Sequence, residues 1–437
     1  RIETSETDPE SIRQFFRTIL PRTEFESISS GDLSLLGRIR MLTGKNQGSV
    51  IRWLTDQLTH SGLPVQVQET LFHNLRLFIR WEVTPAIYRQ LWLPAPDLVP
   101  YIHKTLLRKP VFEKLSEKKL PQPTRLNGKK KESLTDTARA VLVSLHRETD
   151  PFTYADPEGI TLFKLERGLS VALYSMVPAR RLSIESYIGY MAFKNGVPVA
   201  YGGGWIFGKR CQFGINILPA FRGGESAQLF YQLLRVYRQH FRVDRFVVKP
   251  YQFGWHNNEA LRSGAFWFYY KAGFRPADES LRNLADKEWA KKKSAPGYRS
   301  PLAVLKKFTV ADMVMDLSER TESKPDAAKV SLQITEFINS RYAGNREKAI
   351  RDSASATKKQ LGIRSLSDWN QTELYNFREW SLLSQAVLDI RSWSEKEKQK
   401  MVGLIRSRAL PDERRFILKL QTATRFWKHL RILFPES

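Results

Sequence analysis

The chain has 437 residues, 42% of them hydrophobic and 12% aromatic, so it holds enough apolar material for two or three domains. This composition excludes an intrinsically disordered protein. The formal net charge of +25 is its largest anomaly, and it predicts acidic partners: nucleic acid, an anionic membrane, a phosphorylated cofactor or an acidic carrier protein.

The positive charge is spread along the whole chain. Lys and Arg outnumber Asp and Glu by 6 in residues 1–150, by 10 in residues 151–323 and by 9 in residues 324–437. This distribution favours a diffusely basic surface over a dedicated nucleic-acid-binding tail.

Cysteine and histidine usage argues against metal chemistry. The single cysteine, Cys211, excludes an internal disulfide framework and provides too few ligands for a cysteine-based metal site. The seven histidines show no metal-binding spacing.

Because no apolar run is long enough to be a transmembrane segment and the first residues do not resemble a secretory signal, we expect a soluble, cytoplasmic protein.

The first 117 residues are predicted to form a helical N-terminal region. Apolar residues recur there at three- and four-residue spacing, as at Leu71, Leu75, Phe78 and Trp81, before prolines at 85, 94, 96 and 100 divide the pattern. Residues 118–133, KKLPQPTRLNGKKKES, have the composition of a linker or exposed loop. The lysines at 129–131 favour a solvated connector, with phosphate binding as the alternative.

Residues 134–323 are predicted to form an α/β domain with a mostly antiparallel sheet. From Ile160 the apolar period becomes two over five successive runs, and Asn195-Gly196 between two of them indicates a hairpin turn. A helix over 225–239, a strand over 246–253 and a helical stretch ending near Gly273 follow. The segment PLAVLKKFTV, residues 301–310, is expected to supply a last strand.

Residues 324–437 are predicted to form a helical C-terminal region. The closing segment, RRFILKLQTATRFWKHLRILF, alternates basic and apolar residues at helical spacing. We expect this helix to pack onto the preceding domain; binding to a membrane surface or a partner is the alternative.

The run from 215 to 234, INILPAFRGGESAQLFYQLL, has the order strand, glycine turn, helix. Ile215, Asn216, Ile217 and Leu218 would offer backbone groups to an amide-bearing arm, because Pro219 ends the strand. The turn at 222–224 and the following helix start would offer N–H groups and a positive dipole to a pyrophosphate. A coenzyme A thioester presents both groups.

This run resembles motif A of the GNAT superfamily, the Gcn5-related N-acyltransferases, which is written R/Q-x-x-G-x-G/A. The motif positions fall on residues 222–227, which are Arg222, Gly223, Gly224, Glu225, Ser226 and Ala227. Arg222 and Ala227 match, whereas Glu225 occupies the place of the first motif glycine. A carboxylate beside a pyrophosphate is unfavourable unless it points away or caps the helix. The resemblance implies that these six residues bind the cofactor.

The most specific match is residues 268–276, FYYKAGFRP, which resemble the F-Y-x-K-x-G-F-x-P ending of GNAT motif B. The resemblance implies that the helix bearing Tyr269 passes beneath the cofactor thiol and that Tyr269 protonates the departing thiolate. Packing of Tyr269 in the core is the alternative. Asn257 and Asn258 stand where motif B begins, and either would cap a helix or contact the cofactor arm.

No single general base stands out. His256 and Glu259 lie in a loop near the expected cofactor, and Glu185 lies on a strand that faces the acceptor side. The three glycines at 202–204 lie within a strand, where they either make room for a substrate or mark a twisted or bulged strand.

Together these features predict a GNAT-like acyltransferase domain, which covers a quarter to a third of the chain, between two helical regions. It would transfer an acyl group from acetyl-CoA, a longer acyl-CoA or an acyl carrier protein to an amine, without a metal. The alternative is a catalytically degenerate GNAT-like scaffold whose basic surface binds nucleic acid or a protein partner.

Overall fold

The computed structural model describes residues 2–3, 7–29, 33–43, 50–79, 99–107, 110–295, 297–318 and 325–435. The chain divides into two compact units, residues 1–88 and residues 89–437. Within the described ranges, no helix combines the length and apolar character needed to cross a membrane.

The first unit is helical, as its apolar spacing predicts. Asp8 begins the first helix by accepting a hydrogen bond from the Ser11 N–H, and Pro9 occupies the first helical position. The helices bury a core that includes Phe15, Phe16 and Leu54. They are α1 (Pro9–Ile19), α2 (Arg22–Ser29), α3 (Leu35–Thr43), α4 (Val50–His60) and α5 (Val65–Asn74).

A short antiparallel pair joins the two ends of this unit. Strand β1 (Ile2–Glu3) pairs with β2 (Phe78–Ile79), so Phe78 belongs to a strand and not to the helix that its spacing suggested. Leu71 lies in α5 and Leu75 is its C-terminal cap. Trp81 and the prolines at 85, 94 and 96 fall outside the described residues.

The second unit is built on an eight-stranded, open, mostly antiparallel sheet with the order β3-β4-β5-β6-β7-β8-β10-β9. Among the described strands, β7 (Arg210–Ile217) and β8 (Arg245–Val248) are the one parallel pair. The predicted hairpin turn is present, because Asn195 and Gly196 both have positive φ (49° and 79°), as a type I′ turn requires. The strands are β3 (Thr161–Lys164), β4 (Leu169–Tyr174), β5 (Ser186–Lys194), β6 (Val197–Phe207), β7 (Arg210–Ile217), β8 (Arg245–Val248), β9 (Arg275–Pro276) and β10 (Met313–Asp316).

Helices cover this sheet. The crossover from β7 to β8 is α9, whose Phe230 and Tyr237 contact Phe213 of β7. Gly264, with φ 69°, separates two helices between β8 and β9. The helices are α6 (Phe112–Glu117), α7 (Gly128–Ser144), α8 (Asp150–Thr153), α9 (Ser226–Phe241), α10 (Asn258–Ser263), α11 (Ala265–Lys271), α12 (Glu279–Ser294) and α13 (Leu302–Phe308).

Three of the predicted elements were wrong or too long. Residues 118–133 are not simply a linker, because α7 begins at Gly128 and the carbonyls of Lys118 and Lys119 accept hydrogen bonds from Arg235. Residues 301–310 contain helix α13 instead of a strand, and the last described strand along the chain is β10. Strand β8 ends at Val248, before the short 3-10 helix Pro250–Phe253.

The C-terminal helices pack against the sheet, as expected for the closing segment. Phe207 of β6 contacts Phe426 edge-on, and Gln421 donates a hydrogen bond to the Gly208 carbonyl. Fully buried Arg408 pairs with Glu413 and donates to the Glu185 carbonyl. These helices are α14 (Ala327–Tyr342), α15 (Arg346–Gln360), α16 (Gln371–Val387), α17 (Glu395–Ser407), α18 (Glu413–Gln421) and α19 (Thr424–Leu433).

Candidate functional site

The parallel strands β7 and β8 separate soon after they meet. They pair only where Arg210, Cys211 and Gln212 face residues 245–247. From Phe213 onward, β7 has no strand on that side within the described part of the chain. The backbone of Ile215, Asn216 and Ile217 therefore borders an opening between the strands. Unpaired strand edges of this kind can hold an extended amide-bearing molecule through main-chain hydrogen bonds.

A glycine turn connects β7 to α9 at the end of this opening. Gly223 and Gly224 have φ values of 83° and 50°, which favour glycine, and a Cβ at either position would have no neighbour within 4 Å. The N–H groups of Gly224, Ala227 and Gln228 have no acceptor among the described residues. Ser226 directs its hydroxyl to the Gly223 carbonyl at 2.6 Å. The turn thus presents free donors at a helix N-terminus, an arrangement that suits an anion.

Glu225 is the N-cap residue of α9, but its side chain makes no capping hydrogen bond to the helix. One of its oxygens accepts hydrogen bonds from the Leu107 N–H (2.9 Å) and from Arg167 (2.5 Å), and the other lies 3.3 Å from Lys194 Nζ. His103 Nδ1 is 3.5 Å away. Burial acts to raise the pKa of Glu225, but these donors and cations outweigh it and hold the pKa below its usual value.

The strap that holds Glu225 comes from a segment distant in sequence. Tyr101 and Asn195 exchange two hydrogen bonds of 2.9 and 3.0 Å, which fix residues 101–107 over the β5–β6 turn. Arg167 reaches the Thr105 carbonyl at 2.8 Å as well as Glu225. The negative charge of Glu225 is therefore balanced by Arg167 and Lys194 within the structure.

A cavity of about 360 Å³ lies beside the turn, between it, the strap and the β4–β5–β6 end of the sheet. Its lining combines polar and charged groups with the apolar side chains of Leu169, Val199 and Leu229. Its volume falls in the range of small-molecule sites. The charged lining residues are His103, Glu166, Arg167, Lys194, Arg222 and Glu225.

Arg222, in the glycine turn, contacts both the end of β7 and helix α10. Its Nε donates to the Ile217 carbonyl at 3.1 Å, and its guanidinium pairs with Glu259 of α10. Both side chains are largely exposed, at 56% and 73%. An exposed pair of this kind is weak enough for a phosphate to displace the carboxylate. Glu259 is therefore a partner of Arg222 and not a free general base.

Tyr269 is buried in α11, which is compatible both with a role as proton donor and with simple core packing. Its hydroxyl donates to Gln252 Oε1 at 3.4 Å, and Gln252 Nε2 would lie 3.2 Å from a Cβ on Gly214. Gln252 thus links the phenol to the strand that borders the opening. Burial raises the pKa of Tyr269 well above its ordinary value, so the phenol stays protonated at physiological pH. A protonated phenol can act as a proton donor and not as a base.

Asn257 has a structural role, and Asn258 and His256 are exposed to solvent. Asn257 caps α10 by accepting from the Ala260 N–H at 3.1 Å, and its amide donates to the Tyr251 carbonyl. This contact favours the capping role over a contact with the cofactor. Asn258 is exposed at the start of α10. His256 is exposed, has φ 49° and contacts the Trp255 ring, and no described carboxylate orients it as a base.

The three glycines of β6 make room for tyrosine rings. A Cβ on Gly202 would lie 2.6 Å from the Tyr190 hydroxyl, and one on Gly204 would lie 2.5 Å from the Tyr237 ring. The pairing with β7 stays regular across all three, and the register shift of β6 falls opposite Ala192 and Phe193. These glycines therefore serve close packing, and the bulge lies elsewhere in the strand.

Glu185, which the sequence suggested as an acceptor-side residue, is a partly buried carboxyl just before β5. Burial, opposed by Arg210 and Lys249, raises its pKa to about 7. It precedes β5, and β5 pairs with β6 next to the start of β7. Among the described residues, no group of three or more metal-ligating side chains converges here or elsewhere.

Sequence patterns missed the residues that complete the site. Leu107, Arg167 and Lys194 reach Glu225 from 118, 58 and 31 residues away. Gln252 lies just after the strand that faces the opening, and a polar residue in that position was a usable signal. Comparison with protein-family models, with curated proteins and with solved structures gave no match. Function must therefore be inferred from this chain's own residues.

Proposed function

We propose that the sheet domain is a GNAT-like N-acyltransferase that takes its acyl group from a coenzyme A thioester and passes it to an amine. The observation that carries the proposal is the separation of β7 and β8 after three residue pairs, with a donor-rich glycine turn at one end of the opening. A pantetheine arm needs backbone partners, and a pyrophosphate needs clustered N–H groups. The opening and the turn provide them side by side.

In this proposal each side of the site has a separate task. Ile215, Asn216 and Ile217 bind the arm through their backbone, and the turn from Gly223 to Ala227 binds the pyrophosphate with Arg222. The amine attacks the thioester carbonyl, and the tetrahedral intermediate collapses by breaking its carbon–sulfur bond. Tyr269 donates a proton to the departing thiolate, and Gln252 orients its hydroxyl.

Water in the opening accepts the proton that the attacking ammonium loses. Glu185 is too far along the sheet for this role, because the next residue, Ser186, is level with Ile206 and Cys211, at the other end of β7 from Ile217. The basic chain would also attract an acidic acyl carrier protein as an alternative donor. We assign the activity to the cytoplasm, where coenzyme A thioesters are available.

The second candidate is a non-catalytic scaffold with the same fold that binds nucleic acid or a protein. The observation that favours it is the pairing of Arg222 with Glu259, which neutralises the cation nearest the turn. Such a protein would bind through its dispersed positive charge, so its affinity would fall steeply with salt.

Calorimetric titration of the full chain with acetyl-CoA, decanoyl-CoA and desulfo-CoA tests the donor site. The matched variant is Gly214→Val. A Cβ at Gly214 meets the flexible Gln252 side chain at 3.2 Å and the Gly203 carbonyl oxygen at 4.0 Å, which is ordinary contact, and valine suits a strand. The proposal predicts micromolar binding that Gly214→Val weakens at least tenfold, with an unchanged circular dichroism spectrum. Absence of binding by all three ligands would exclude the donor assignment and favour the scaffold.

A further inference from the structure

The C-terminal helices enclose a second cavity, of about 520 Å³, that the acyltransferase proposal does not use. It lies between α17, the end of α18 and the start of α19. Met401, Leu404 and Phe426 form its apolar floor, and all three are almost completely buried. Four cationic side chains, those of Lys396, Lys400, Lys419 and Arg425, stand around it.

The lysines of this cavity carry uncompensated positive charge. No carboxylate among the described residues forms an ion pair with Lys396, Lys400 or Lys419. The only carboxylate in the lining, Glu397, is already held by Arg425 at 2.8 Å and by Ser394. Because Lys396 and Lys400 are four residues apart, they share one face of α17 and repel each other. A bound anion would relieve this repulsion.

Two uncharged features of the cavity would also favour an anion. The indole N–H of Trp393, a residue that lines the cavity and is 6% exposed, is buried and has no hydrogen-bond acceptor among the described residues. Helix α19 begins beside the cavity at Thr424, and its N-cap residue Ala423 provides no side-chain cap. The helix start therefore keeps a partial positive charge that would also favour an anion.

A glycine lies in the wall of this cavity without a packing reason. Gly403 is inside α17, where glycine is less favourable than alanine. A Cβ there would meet only Lys419 Nζ, at 3.8 Å, which is ordinary contact. Lys419 Nζ donates to the Gly403 carbonyl at 3.1 Å, and the absence of a side chain at Gly403 leaves the space beside this lysine open.

We propose that this cavity is a binding site for a small phosphorylated ligand the size of a nucleoside monophosphate. Lys396, Lys400 and Lys419 hold the phosphate, and the apolar floor receives the rest of the molecule. The volume fits a small molecule, and three helices bound the site, which favours a discrete ligand over an extended polymer. The site needs no residue of the sheet domain's opening, so it stands independently of the acyltransferase proposal.

Calorimetric titration of the full chain with AMP tests this site. The site variant replaces Lys396, Lys400 and Lys419 by Gln. The charge-matched control replaces Lys348, Lys359 and Lys428 by Gln; these are exposed lysines that do not line the cavity. We expect the site variant to bind AMP at least tenfold more weakly and the control to remain within twofold of the wild type. Equal losses of AMP affinity in both variants would show that diffuse surface charge causes the binding, and would overturn the proposal.

Two further titrations define the ligand. Gly403→Leu fills space without removing charge, and we expect it to weaken AMP binding at least tenfold without lowering the thermal midpoint. Adenosine, which lacks the phosphate, is expected to bind at least tenfold more weakly than AMP. Unchanged AMP affinity in Gly403→Leu, or tight binding of a ten-nucleotide RNA with no binding of AMP, would contradict a small-ligand site here.

Discussion

Replacing Glu225 by Gln tests whether its carboxylate stabilises the fold or opposes the cofactor. The side chain is 14% exposed and contacts the Leu107 N–H, Arg167 and Lys194. Breaking a buried ion pair costs about 3–5 kcal/mol. Because Glu225 is partly exposed and Gln keeps one acceptor for the Leu107 N–H, we expect a loss of about 2 kcal/mol at pH 7.

The pH dependence gives the sign of this effect. The folded pKa of Glu225 lies below its ordinary value, so the stability that the carboxylate contributes is present above its unfolded pKa. That stability is lost as the pH falls through the folded pKa. Urea unfolding at pH 7 and pH 3, followed by circular dichroism, is expected to show a smaller difference between Glu225→Gln and the wild type at pH 3.

The same variant tests the geometry of the turn. Because the Glu225 carboxylate is bound by Leu107, Arg167 and Lys194 and makes no hydrogen bond to the turn, coenzyme A affinity is expected to change by less than threefold. Glu259→Gln, at a carboxylate 73% exposed, is the control and is expected to cost less than about 0.5 kcal/mol. A tenfold gain in coenzyme A affinity in Glu225→Gln, or no loss of stability, would refute the reasoning.

Three other substitutions follow from the structure. The pKa of Glu185 is raised to about 7, so folding stability falls as pH rises from 4.5 to 7. Glu185→Gln is expected to raise the free energy of unfolding by roughly 3 kcal/mol at pH 8 and to leave it unchanged at pH 4. An equal effect at both pH values would contradict the raised pKa. Gly204→Ala would place a Cβ 2.5 Å from Tyr237 and is expected to cost about 2 kcal/mol, measured by urea unfolding; a neutral effect would show that the ring can move. Asn257→Ala removes the α10 cap and is expected to cost about 1 kcal/mol in the same measurement, whereas an unchanged midpoint would show that the cap is dispensable.

Local patterns predicted most of the sheet. Strands β3 to β7 alternate or are continuously apolar, and Asn195-Gly196 defines one turn between them. The connector at 118–133 was misjudged because its lysines dominated the composition. A capping signal was present there, since Asn127 accepts the Lys130 N–H and starts α7.

The last strand was misplaced for a related reason. Residues 301–310 have β-favouring composition, but Leu305 and Phe308 are buried three residues apart, which is a helical spacing. Strand β10, residues 313–316, exists because it pairs with β8, where Met313 faces Val248, 65 residues earlier in the chain. Pairing over such a distance leaves little trace in local sequence.

The elements around the candidate site were predictable where their residues are contiguous. The turn after β7 and the helix bearing Tyr269 are each encoded within a few residues. The groups that hold Glu225 and orient Tyr269 come from the strap, from β5 and from the 3-10 helix Pro250–Phe253. Only folding brings these segments together, so no spacing rule could identify them.

The acyltransferase proposal is tested most directly by the rate at which free coenzyme A appears when the full chain is mixed with acetyl-CoA and a panel of amines. Tyr269→Phe is compared with the wild type, and Tyr270→Phe is the control because its hydroxyl donates to Asp286 instead of Gln252. Loss of a general acid typically costs about 10²–10⁴ in rate. We predict a loss of about a hundredfold in Tyr269→Phe with unchanged coenzyme A affinity and a near-normal rate in Tyr270→Phe. Equal rates in all three proteins would contradict the role of Tyr269, and no coenzyme A release by the wild type with any amine would contradict the proposed acyl transfer.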